Sequence, residues 1–115
     1  MELMKLGKKL HELVGLEYPA VAVKLVKSKE EISKNLQELE KPVRHCEMVQ
    51  IARKSGKKFY AAVEKHSCKG GAFAIGILKD VPEPLKTGKL YYKLGNFKTE
   101  KGAIATVDAI PKVSE

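Results

Sequence analysis

"RHCEMVQIARKSGKKFYAAVEKHSCKGGAFAIG", residues 44–76, holds both cysteines and two of the three histidines of a 115-residue chain. Its patterning also sets the expected fold class. Met48, Val49, Ile51 and Ala52 recur as the apolar positions of a helix from about Arg44 to Ser55, which Gly56 ends. From Lys58 to Glu64, Phe59, Ala61 and Val63 alternate with Tyr60 and Ala62, the period of a strand. His66-Ser67-Cys68-Lys69-Gly70-Gly71 reads as a tight turn, and "GAFAIGIL" after it as a buried helix, with a strand as the alternative. Helix, strand, turn and helix in sequence imply a mixed α+β fold.

Upstream, Leu3, Leu6, Leu10 and Leu13 lie at helical spacing with Val14 beside them, and Gly15 offers a C-terminal cap. This helix should lie on the surface and bury its leucine stripe. "AVAVKLV", residues 20–26, has the β-branched composition of a buried strand. Ser28 and Glu31 have capping-box spacing before a second helical stripe, Ile32, Leu36 and Leu39, which must end before Pro42. Downstream, Val81-Pro82-Glu83-Pro84 reads as a loop, "LKTGKLYYKLGNF" carries no decisive period, and Thr99 to Ile110 reads as a final helix stopped by Pro111. The expected architecture is one small α+β domain over residues 1–115, with a few short strands and four to five helices.

The charge of +8 comes from 20 lysines and two arginines against 14 acidic residues. Twelve glutamates beside so many lysines, with only two Asn and two Gln, give the composition of a thermophile surface. The lysines are spread along the chain and planar arginine recognition is nearly absent, which argues against a nucleic-acid partner. Tyr91, Tyr92 and Phe97 among Lys89 and Lys93 would suit such a surface, but also the wall of a ligand pocket or partly buried tyrosines. The longest apolar run, Ala72 to Leu78 counting Gly76, is far too short to span a membrane, and the lysine-studded N-terminus reads as a helix, not a signal peptide. A cytoplasmic location is the expectation.

The chemistry is expected at the cysteines. Cys68 stands at a helix start, where free N–H groups and the neighbouring Lys65, His66 and Lys69 favour a thiolate. Cys46 lies in the first turn of a helix beside Arg44. Cys46, Cys68, His45 and His66 together make the two-sulfur, two-nitrogen inventory of zinc. However, adjacent His45 and Cys46 project about 100° apart on a helix, and neither pair has C-x2-C spacing. An iron–sulfur cluster takes about four cysteines, so two such chains or a further source would be needed. The Lys69-Gly70-Gly71 turn, with Arg44, could instead hold an anionic small molecule or cofactor, although it lacks the spacing of a phosphate-binding loop. Cys68 as the nucleophile of a thiol enzyme, a Cys46–Cys68 disulfide, and two plain core cysteines stay open. No serine–histidine–acid set stands out, and Glu47 and Glu64 are isolated carboxylates.

The central stretch, together with "GKLYYKLGNF", the opening from Val14 to Leu25 and the closing "DAIPKV", resembles the family called domain of unknown function 169, found in archaea and bacteria. The resemblance covers nearly the whole chain. It implies that Arg44, His45, Cys46, Lys54, Cys68, Lys69, Gly70, Gly71, Tyr92, Leu94 and Gly95 occupy signature positions. It brings no established activity. Family members run to roughly twice this length, with further cysteines in their second half, so the chain resembles an N-terminal half. A site completed by that half would here need a separate chain or a homodimer.

Overall fold

The computed structural model describes residues 2–111. The chain divides into two compact units, the first running to Ser67 and the second starting at Cys68. Among the described residues, no helix is long and apolar enough to cross a membrane.

The first unit opens with helix α1, Glu2–Val14, closed by Gly15 in the left-handed conformation at φ 67°. Its boundaries follow the leucine period and the glycine stop. The stripe is nevertheless not buried: no residue of α1 is, and Leu3 and Leu13 are 83% and 75% exposed. Residues 20–26 also depart from expectation. They form no strand, and Val23 and Leu25 are exposed. A strand needs a neighbouring ladder as well as β-branched composition, and none reaches this segment. The segment is tethered just before its start, where the Arg53 guanidinium lies 5.1 Å over the Tyr18 ring.

The expected second helix is reduced to a single 3-10 turn, Lys29–Glu31, with the Lys27 N–H donating to the Glu31 carboxylate at 3.1 Å. The chain then turns extended, and the short strand β1, Gln37–Glu38, pairs in parallel with β2, Phe59–Tyr60. Parallel strands need a crossover. Helix α2, His45–Ser55, supplies it, ended by Gly56 at φ 67°. The pairing resumes beyond the strands. Leu39 N–H donates to the Tyr60 carbonyl, Val43 N–H to Lys65, and Ser67 N–H to Val43. Among the described residues, Leu39 and Met48 are the buried side chains of this unit. Only Phe59–Tyr60 of the expected Lys58–Glu64 strand is ladder-paired, because Val63–Lys65 winds into a 3-10 turn.

The second unit is helical: α3 Lys69–Ala74, α4 Glu83–Thr87, α5 Lys89–Lys93 and α6 Glu100–Ala109. The expected turn at Lys69-Gly70-Gly71 is already the first turn of α3, and Gly76, at φ 85°, follows its end. Pro82 caps α4, so the Val81–Pro84 loop runs directly into a helix. Between α4 and α5, Gly88 sits at φ 91°, where a methyl group would stand 2.6 Å from Val107 Cγ2 and 2.9 Å from the Ala103 carbonyl. Ala103 is fully buried, and Ala72, Val81 and Leu85 complete the buried set. Small residues at 88 and 103 are what allow this close approach to α6.

Candidate functional site

The expected site residues fall into two groups, one in each unit. In the first unit, Arg44 precedes α2 and holds its start. The Arg44 N–H donates to Glu47 Oε2 at 2.9 Å, and its guanidinium donates to Glu47 Oε1 at 3.0 Å. These two bonds from Arg44 hold the Glu47 carboxyl below its ordinary range. Cys46, on the first turn, is an exposed free thiol.

His45 and His66 come together although 21 positions apart. Their rings stack with centroids 6.1 Å apart and planes 13° from parallel. The Val43–His66 bridge sets the pair, since it lays the chain after β2 beside the chain leading into α2. His66 Nδ1–H donates to the Ala62 carbonyl at 3.0 Å, which fixes its tautomer. His45 Nδ1 is buried without a hydrogen-bond partner. Its burial, and secondarily the neighbouring His66, hold the His45 pKa below the ordinary value. A stacked histidine pair is the result, with burial disfavouring the charged form of His45. Ring lone pairs lie in the ring planes, so stacked rings direct them side by side and not to one point. Among the described residues, no three His, Cys, Asp or Glu side chains gather as a metal would require.

In the second unit, Cys68 is the N-cap of α3. Its half-buried free thiol accepts the Gly71 N–H at 3.4 Å. The Lys69 and Gly70 N–H groups are among those that helix geometry leaves without an intrahelical acceptor. Gly70 is tightly placed. A methyl group there would come within 3.2 Å of the Tyr91 hydroxyl, 3.6 Å of Leu85 and 3.9 Å of Cys68 Sγ.

Gly70 also borders a cavity of about 240 Å³, lined mainly by Phe73, Leu85, Tyr91, Phe97 and Val107. Its wall is almost entirely apolar, with Thr106 and the Tyr91 hydroxyl as side-chain polar groups. Tyr91 and Phe97 are two of the aromatic residues whose pattern suits a pocket wall. Tyr92, by contrast, is 40% exposed and does not line it. Leu85 and Val107 carry no such signal in the sequence. They read as ordinary helix positions, and only the packing of α4 and α6 brings them to Gly70.

Comparison with known proteins gives the family. The family model for domain of unknown function 169, described as an uncharacterised ArCR family, matches residues 9–115. An uncharacterised protein of Methanocaldococcus jannaschii is 60% identical over 114 residues, covering 99% of this chain and 49% of its own length. The chain therefore belongs to this family and spans about half the length of that relative. No solved structure matches it.

Proposed function

From this family membership and the cavity at Gly70, we propose that the chain is a binding module for a small molecule with an apolar body and an anionic group. The apolar body occupies the cavity of the second unit, and the anionic group lies at the Cys68-Lys69-Gly70-Gly71 turn. One observation carries the reading: Gly70 belongs both to the turn and to the cavity wall. An apolar enclosure with a few polar groups at its edge is the usual form of a small-molecule site. Lys69 supplies positive charge beside it. The probe for a test is octanoate, compared with octanol and octylamine in calorimetric titration. Octanoate should bind most tightly, and Gly70→Ala should weaken it by about tenfold or more, because the added methyl presses on Tyr91 and narrows the cavity. Equal affinity for octylamine, or unchanged octanoate binding in Gly70→Ala, would refute it.

A second reading makes the free thiols ligands of a metal or iron–sulfur cluster, Cys46 in the first unit and Cys68 in the second each as one candidate ligand. Two free thiols favour it, one of which, Cys68 Sγ, already accepts the Gly71 N–H. The remaining ligands would come from the part of the family chain beyond this one, or from a second copy. Iron and acid-labile sulfide in protein purified without oxygen, lost in Cys46→Ser and Cys68→Ser, is the expected result. Metal-free, colourless protein that gains no metal on reconstitution would end the reading. Either setting is a cytoplasmic one in this proposal, supported by the unpaired thiols and the Lys/Glu-rich composition.

A further inference from the structure

We propose that α1 and the irregular segment of residues 20–26 form a docking surface. Its occupant is the polypeptide corresponding to the second half of the longer family members. Two independent features of the first unit point there. The first is α1, whose Leu3, Leu6, Leu10 and Leu13 repeat as one apolar stripe, all at least 49% exposed, with Met4 and Val14 adding to it. A stripe of this kind on a stable helix normally faces a partner. The second is "AVAVKLV". It has strand composition and no regular secondary structure, and among the described residues none of its backbone N–H or C=O groups enters a hydrogen bond. A β-prone segment with an open ladder is ready to pair with a strand from elsewhere.

The choice of occupant rests on chain length. The Methanocaldococcus relative uses 49% of its length to match 99% of this chain, leaving a remainder of about equal size. A remainder that large can bury a helix face and supply a strand. At 60% identity the matched parts share their fold, so in this proposal the relative turns the corresponding surface to the rest of its own chain. The inference does not depend on the cavity or on the cysteines, which lie outside these segments.

Amide hydrogen exchange on two intact proteins tests it: this chain, and the full-length relative. The amides of α1 and residues 20–26 should exchange rapidly in this chain. Their aligned counterparts in the relative, measured at a concentration where sedimentation shows it monomeric, should be protected by about 100-fold or more. Lysine at the relative's positions aligned with Leu6 and Leu10 should lower its thermal midpoint by about 5 °C or more. The double variant Leu6→Lys/Leu10→Lys of this chain should shift by about 1 °C or less. Should the relative's variant fail to fold, the wild-type exchange comparison still decides. Equal exchange in the two proteins overturns the proposal. So does protection in this chain that disappears when a homodimer is diluted apart, because the occupant would then be a second copy.

Discussion

Helices α1 and α6 show how differently two segments of similar length can behave in one chain. α1 has the stronger helical stripe, four leucines at regular spacing, and buries none of them. α6 has a weak stripe, and its best-placed residue is an alanine with no exposed surface. Amphipathic pattern measures how much a helix could bury, while burial itself requires a facing element of matching shape. α6 has one, because Gly88 lets the chain between α4 and α5 come close to Val107 and Ala103. Among the described residues, nothing buries the leucine stripe of α1.

That contrast can be broken most directly at Gly88. Gly88→Ala forces a methyl group into Val107 and the Ala103 carbonyl, and requires a left-handed backbone in a non-glycine residue. Overpacking and backbone strain together should cost about 3 kcal/mol, read as a lower denaturation midpoint. A near-neutral Gly88→Ala would mean that α6 is not held as closely as Ala103 implies.

The next effect concerns the start of α6. Thr99 Oγ1 accepts the Gly102 N–H at 3.0 Å, so Thr99→Ala should cost about 1 kcal/mol by losing this cap. Thr99→Ser should restore most of it.

A smaller effect belongs to the first unit and depends on pH. His45 has a folded-state pKa below its ordinary 6.5, from burial first and His66 second. The unfolded chain then takes up a proton before the folded chain does. The stability His45 contributes is fully present above about pH 6.5 and falls as the pH drops through the lowered value. Urea midpoints measured from about pH 7.5 to pH 5 should decline, and His45→Gln should flatten the decline. An unchanged slope would show that the pair is too solvated to matter.

The smallest effect is expected at α1. Leu6→Ala with Leu10→Ala should leave the stability of this chain within about 0.5 kcal/mol, since both side chains are exposed and alanine favours the helix. A loss of 2 kcal/mol or more would place α1 against a surface and close the gap between the two helices.

Much of the candidate site was legible as residue types, and little of it as geometry. The stretch from Arg44 to Gly76 does hold the histidine pair, both free thiols and the wall glycine of the cavity. The two groups nevertheless belong to different compact units, a division that residue spacing does not express. The stacking of His45 on His66 follows from a parallel pairing across a helix, and pairing register is not written in either histidine's neighbourhood. The cavity wall at Leu85 and Val107 was illegible for the same reason.

By itself, the sequence determined what depends on nearest neighbours along the chain. α1 and α2 end at Gly15 and Gly56 because only glycine enters a left-handed cap without strain. Helix α6 starts at Thr99 because its hydroxyl reaches an N–H three residues on. The mixed α+β class follows from the same local signals. Tertiary structure decided what depends on partners. Residues 20–26 are strand-like in composition and still not a strand, because no ladder meets them. Ile32, Leu36 and Leu39 have helical spacing, yet the chain at Gln37–Glu38 is extended because Phe59–Tyr60 offers it a ladder. Where local preference is weak, the available hydrogen-bond partner and the surface to be buried settle the conformation.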